Sequence, residues 1–427
     1  MKTANTKNVK NHLFLIIALG ITCTIGYGTL FYSFSILSIE IENHFAWSKE
    51  FIYGSFSLGI IASACFAPWF GRLLDRYNAR LPMTIDSLVI ALGLVSMSFI
   101  NSKTHYVLTI LLLEIVTVLV VYDSAFVALT QTLGKSARRA ITQITLMGGF
   151  ASTIFWPLIK MLLEHVEWQT IYILMALLHI CVCLPLHWQC LKRARPTLTD
   201  NTGNNTTSTD NTQAVQTITD KDIPKKHDYI IETMIALSVG GVAFCVTGMQ
   251  IHIFTILSNL NIAESLAVIV STLFGPSQVV ARVCEMTFGQ KFTPLKIGLI
   301  SSGAMFIALT MLILTNIITP QLALVYAFFF GIGQGLNNIV QGTVPLYIFG
   351  DYKYGTITGR INGVKILLSA AAPITYSIIM NHYSVTGLLL FIIGIMMTCF
   401  ILVLLVESRF NYSRLNNSES AKISTVT

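Results

Sequence analysis

Two cations stand where a cation is costly. Arg282 falls in the series Ser271, Gly275, Gln278, Arg282 and Glu285, spaced 4, 3, 4 and 3. Lys365 falls in the series Thr358, Asn362, Lys365, Ser369, Ala372 and Tyr376, spaced 4, 3, 4, 3 and 4. Those intervals put each set on one face of a helix. The segments carrying them are otherwise apolar, and a charge at a bilayer centre costs roughly 2.5 to 3.5 kcal/mol. A guanidinium offers a planar fork and an ammonium a point charge, so together they suit a small organic anion. Lys365, well inside its segment, reads as a cavity cation. Arg282 leaves two readings open, a cavity cation or an anchor that snorkels to the membrane edge.

Other side chains could serve the same site. Gln334, Asn337, Asn338 and Gln341 in the tenth segment, and Thr247 and Gln250 in the seventh, could hydrogen-bond a polar cargo or join helices to each other. Tyr27 and Tyr32 lie among Gly20, Gly26 and Gly28 of the first segment, where Tyr27 either lines a cavity or packs between helices. Glu114 and Asp123 are coupling candidates, since a desolvated carboxylate titrates nearer neutrality, or else carboxylates satisfied by a neighbouring helix or by Arg138 and Arg139. Nine residues apart, they point to opposite faces at 100° per residue, so one cavity takes only one of them. His252 is a third coupling candidate, and His179 reads as structural. The nine histidines are scattered with no pair at metal-ligand spacing, and no nucleophile accompanies a base. Neither a metal, a cofactor nor an enzyme activity is expected.

The elements that must position these residues are long apolar runs. Of 427 residues, 54% are hydrophobic and 11% charged, with a mean hydropathy of +0.69, which is the composition of a polytopic membrane protein. Twelve runs approach the ~20 residues of a spanning helix: 13–37, 50–70, 82–101, 105–131, 139–163, 168–190, 229–257, 263–285, 294–316, 320–349, 356–381 and 383–406. The fold class is thus all-α integral membrane. Residues 1–12 form an N-terminal segment, 13–190 and 229–406 two six-helix bundles, 191–228 a linker and 407–427 a tail. The linker is rich in Asn and Thr and reads as flexible. The eight cysteines fall within or at the ends of the runs, so no disulfide is expected.

The net charge of +7 is a topology signal. Among the loops, Lys49, Lys103 and Lys160 alone fall on one side, and the other basic residues mark the opposite side, with both termini, as cytoplasmic. No single basic face forms, so the partner is a lipid bilayer and no nucleic acid is expected. The densest turn is Gly71-Arg72-Leu73-Leu74-Asp75-Arg76-Tyr77-Asn78-Ala79-Arg80. It recurs in degraded form as Ala281 to Glu285, at a constant offset of 210 residues, which points to two repeated halves.

That turn resembles the loop signature of the major facilitator superfamily, with Asn78 where glycine is usual; Asn tolerates the same left-handed turn. The runs Tyr122 to Phe126, Gly148 to Pro157 and Gly342 to Gly355 resemble a bacterial subgroup of that superfamily, which implies a bacterial inner membrane. The fifth segment lacks the Gly-x-x-x-Gly-Pro-x-x-Gly-Gly pattern of the drug/proton antiporters. Arg282 with Lys365 resembles the cation pair of the oxalate/formate antiporters, which implies that the two clamp a carboxylate. The monocarboxylate transporters carry Asp-x-x-x-Arg where this chain has Gln278-x-x-x-Arg282, and a first-helix Lys where it has Phe31 and Tyr32. The chain therefore departs from their proton-coupled mechanism.

The resemblance implies two pseudo-symmetric six-helix bundles around a central cavity, a small-molecule substrate moved by alternating access, a coupling proton or counter-anion, and a monomer. It also implies a latch built on Gly71, Arg72, Asp75, Arg76 and Arg80. Asp75 would meet the N-terminus of the eleventh helix, where the helix dipole and Arg360 favour a carboxylate. Glu285 would meet the fifth helix beside Arg138 and Arg139. The alternatives are a larger amphipathic cargo such as a drug or siderophore, and a non-transporting receptor or scaffold.

Overall fold

A computed structural model describes residues 2–193, 228–351 and 353–424, so most of the expected linker lies outside the described residues. Among the described residues, twelve helices are long and apolar enough to cross a membrane. The first half contains α1 (His12–Phe45), α2 (Phe51–Tyr77), α3 (Arg80–Ser98), α4 (Lys103–Leu133), α5 (Ala137–Leu163) and α6 (Trp168–Leu191). The second contains α7 (Tyr229–Ile253), α8 (Ser265–Phe288), α9 (Pro294–Leu314), α10 (Leu322–Phe349), α11 (Tyr354–His382) and α12 (Val385–Asn411). No strand occurs among the described residues.

Several helices begin on side-chain caps. The hydroxyls of Ser48, Ser102 and Thr293 accept from the backbone N–H of Phe51, His105 and Lys296, and each satisfies a donor that the first turn leaves free. Asp228 caps α7 by accepting from Ile230 and Ile231 and also holds Arg409 at 2.9 Å. Slight burial raises its carboxyl, but these N–H groups and the guanidinium outweigh that and hold it below the usual carboxylate range.

The termini extend further than expected. Helix continues from Lys2 to Gly26, and the last helix runs from Val385 to Ser424, through most of the expected tail. Neither stretch contains a Gly or Pro beyond the apolar run to stop it. The fourth helix is not straight. It runs Lys103–Thr117, breaks, and resumes as Tyr122–Leu133. The break falls in the run Val116-Thr117-Val118-Leu119-Val120-Val121, where β-branched side chains crowd the preceding turn and i to i−3 hydrogen bonds replace the regular ladder.

Proline sits inside α2 (Pro68), α5 (Pro157), α8 (Pro276), α10 (Pro345) and α11 (Pro373). All five helices also touch the opposite half. Each proline removes one backbone hydrogen bond, so the seam is built from helices already able to bend. Each half has its own core, around Tyr106, Trp168 and Tyr172 in the first and Tyr326, Phe330 and Tyr376 in the second. A third cluster joins Phe126, Ile141 and Ile144 to Leu346 and Tyr354, so the halves share packing. Along the seam α2 lies on α11, and α5 meets α8.

Candidate functional site

Both polar stripes reach the opposite half at the seam. Lys365 Nζ lies 3.7 Å from Asp123 Oδ1 and donates to Gln341 Oε1 at 3.2 Å. Asp123 belongs to the first half and Lys365 to the second, so this ion pair crosses the seam. Its side chains are only 16% and 18% exposed, in surroundings where a charge pair interacts far more strongly than in water. Glu114 is elsewhere, its side chain against Gly59 of α2. The break in α4 resets the helical phase between the two acids, so their separation is decided by packing rather than by a 100° count.

Arg282 is 3% exposed and turns into the seam instead of snorkelling. One terminal nitrogen donates to the Thr145 carbonyl of α5 at 3.0 Å, the other to Gln278 Oε1 at 3.3 Å. A Cβ at Gly149 would collide with this guanidinium, so the missing side chain is what admits Arg282 to the α5 backbone. Its Nε is buried with no hydrogen-bond partner. Tyr122 donates to the same Thr145 carbonyl at 3.0 Å, and its ring centroid lies 4.6 Å from that of Tyr27. Gln278 Nε2 donates to Gln334 Oε1 at 3.1 Å. Tyr27, Tyr122, Arg282, Gln278 and Gln334 thus form one chain of contacts. Tyr122→Phe should remove one hydrogen bond and cost about 1 kcal/mol, read as a small drop in the thermal midpoint of the purified protein with the fold retained.

The remaining candidates disperse. Gln334, Asn338 and Gln341 are spaced 4 and 3 along α10, and the first and last touch seam groups. Asn337 lines a small cavity inside the second half with Ser238, Ser301 and Ser302. Gln250 is exposed and Tyr32 half-buried. His252 Nε2 donates to the Pro373 carbonyl at 3.1 Å, and its ring stacks on Tyr376, which ties α7 to α11 within one half.

On the side that bears the termini, two carboxylates join the halves. Asp75 accepts from Gly355 N–H at 2.9 Å, Thr356 N–H at 2.6 Å and the Thr356 hydroxyl at 2.6 Å, at the first turn of α11. The free N–H groups and the positive helix end favour an anion there. Asn78, which ends the turn's helix, has φ 58° but ψ 157°, so it does not adopt the expected left-handed helical turn; it holds an extended positive-φ conformation that glycine reaches more easily. Glu285, 3% exposed, accepts from Arg138 at 3.1 Å and from the Thr142 hydroxyl at 2.7 Å. Arg138 also reaches the carbonyls of Gly289 and Phe292, both at 2.6 Å.

The other basic residues do not share these contacts equally. Arg360 forks onto Glu232 of its own half at 2.6 and 2.8 Å rather than supporting Asp75. Arg139 is exposed, as are Arg72 and Arg76. Arg80 stacks 3.8 Å over the Trp188 ring within the first half. The residues missed in the sequence were Thr142 and Thr356, hydroxyl partners of carboxylates that were themselves conspicuous.

The family model described as Major Facilitator Superfamily matches residues 135–373. Monocarboxylate transporter 4 of Mus musculus is 22% identical over 339 residues, 77% of this chain and 66% of that protein, so the match spans just under two thirds of that relative. Among solved structures, the human organic anion transporter MFSD10 (TETRAN) has a TM-score of 0.64 at 13% identity, covering 92% of this chain and 98% of that one. The proton:xylose symporter XylE, bound to 6-bromo-6-deoxy-D-glucose, has a TM-score of 0.65 at 13% identity, covering 91% and 94%. At such identities the likeness is one of fold. The family model covers more than half of the sequence, and the chain belongs to the major facilitator superfamily.

Proposed function

We propose that the protein is a secondary active transporter that moves a small organic anion, a carboxylate, by alternating access. The observation that carries this reading is the pair of seam cations: Lys365 held by a carboxylate from the opposite half, and Arg282, buried with an unused N–H and bonded to the Thr145 carbonyl that Tyr122, the neighbour of Asp123, also takes. Asp123 then acts as an internal stand-in for the cargo. An incoming carboxylate competes with it for Lys365 and engages Arg282, and Asp123, released from its cation, is the group best placed to take a coupling proton. Exchange for a second anion would use the same cations without that proton.

The Asp75 and Glu285 contacts close one side of the seam, which the distribution of basic residues identifies as the cytoplasmic side. Breaking them lets the halves rock to the opposite state. A larger amphipathic cargo is the second reading, favoured by the Tyr27 and Tyr122 rings and the Gln278 and Gln334 amides beside Arg282.

A ligand-stabilisation screen on the purified protein separates the two. A ligand at 100 times its Kd stabilises by about 2.7 kcal/mol. Small carboxylates should raise the thermal midpoint, and their amides should not. Stabilisation by neutral amphipathic compounds with none by acids would reject the carboxylate reading.

A further inference from the structure

A second polar cluster lies wholly within the first half. Asp86 of α3 is 2% exposed, and neither carboxyl oxygen has a hydrogen-bond partner. His179 and His187 of α6 are both fully buried, and each has one ring nitrogen without a partner, Nδ1 and Nε2 respectively. Cys183 lies between them, so the three fall at i, i+4 and i+8 on one face of α6. Ser87 Oγ, beside Asp86, is 2.8 Å from His187 Nδ1. Cys183 is within electrostatic reach of Asp86, and His179 of His187.

The hydrogen bonds fix which atoms are bare. Thr29 Oγ1 has one proton and gives it to the Ile25 carbonyl at 2.9 Å, so His179 Nε2, 2.8 Å away, must be the donor to that hydroxyl. His179 Nδ1 is then a bare acceptor in the neutral ring. Ser87 likewise donates to the Met83 carbonyl, which His187 Nδ1 also approaches at 3.1 Å. A carbonyl only accepts, so His187 carries its proton on Nδ1 and Nε2 is bare. Two carboxylate oxygens and two imidazole nitrogens are thus buried as acceptors, with only the weak S–H of Cys183 nearby. Buried polar groups are normally satisfied, and an acceptor-only cluster is completed by something that donates. Among the described residues no group of three or more ligands could hold a metal ion. A proton is the smallest species that completes it.

Among the described residues no Lys or Arg is hydrogen-bonded to Asp86. The titratable groups on the elements packed against the cluster include Cys23 and Tyr27 from α1, Tyr106, Glu114, Tyr122 and Asp123 from α4, and Tyr172 and Cys190 from α6. Of these, Cys23 is within electrostatic reach of both Cys183 and Asp123. From α2, Cys65 and Tyr77 are exposed, and Asp75 is committed to α11. On α3 itself Arg80 stacks on Trp188, and near its far end Ser96 meets His105.

We propose that Asp86, His179 and His187 form a buried proton-binding site, joined to the seam through Thr29. Thr29 lies in the π-helical turn Tyr27–Tyr32, two residues from the seam residue Tyr27, and His179 opens a second π-helical turn, His179–Cys183. Such turns carry an extra residue and recur at functional sites. A proton held by the cluster therefore acts on the hydrogen bond that joins α6 to the part of α1 that carries Tyr27. This inference does not depend on the nature of the cargo.

Infrared spectra of the full-length protein in lipid test it without a substrate. At neutral pH the wild type should show a protonated carboxyl band that is lost in Asp86→Asn and displaced in His187→Gln or His179→Gln. The pH at which the band disappears should move in Thr29→Val. If Asp86→Asn does not fold, the histidine variants still carry the test. An acid band unchanged in Asp86→Asn, or displaced in neither histidine variant, overturns the site. An unmoved titration in Thr29→Val overturns its link to the seam.

Discussion

Lys365→Gln and Arg282→Gln should each reduce carboxylate uptake by roughly ten- to a hundredfold and leave the binding of neutral solutes unchanged. A hydrogen bond to a charged group contributes about 1.5 to 3 kcal/mol, and 1.4 kcal/mol is a factor of ten. The two variants should differ in stability. Lys365→Gln strands Asp123, which is 16% exposed, and removing one partner of a buried pair costs about 3 to 5 kcal/mol when burial is complete and less here. The double variant Lys365→Gln with Asp123→Asn should recover stability without recovering transport. Recovery of both would make the ion pair structural.

The second large effect is expected at the latch. Asp75 accepts three hydrogen bonds from the first turn of α11, and an amide at that position keeps one acceptor oxygen and loses the charge that the helix end favours. Asp75→Asn should shift the balance by about 2 kcal/mol or more, over tenfold, toward the state open on the side that bears the termini. Gly71→Val should act in the same direction by another route. A Cβ at Gly71 would collide with the Gly355 carbonyl, so the closed approach of α2 to α11 becomes sterically impossible. Labelling of cysteines placed in the seam, from each side of the membrane, reads both effects. Unchanged labelling in both variants would show that these contacts do not hold the seam closed.

The architecture was legible because spanning helices announce themselves by length and hydropathy. Arg282 and Lys365 were legible because a charge in an apolar run has few innocent explanations. Their partners were not. Asp123 is conspicuous in sequence, but its pairing with Lys365 depends on how two halves meet and on a break at Val118 to Val121 that resets its direction. Arg360 has a carboxylate as expected, but that carboxylate is Glu232 of its own half. Asn337 and Asn338 are adjacent and chemically identical, and only packing shows that Asn337 serves the interior of the second half. Asp86 is a lone acid in the third apolar run and carried the same signal as Lys365. What concealed its significance is that its histidine neighbours lie about a hundred residues away on α6.

In the proposed mechanism Asp123 occupies the place on Lys365 that the cargo carboxylate takes. Equilibrium binding of one small carboxylate to wild type and to Asp123→Asn decides whether it does. Removing the competitor should tighten binding by about tenfold, because close charge pairs couple by about 1.5 kcal/mol or more. Weaker or unchanged binding in Asp123→Asn would show that Asp123 does not compete with the cargo for Lys365.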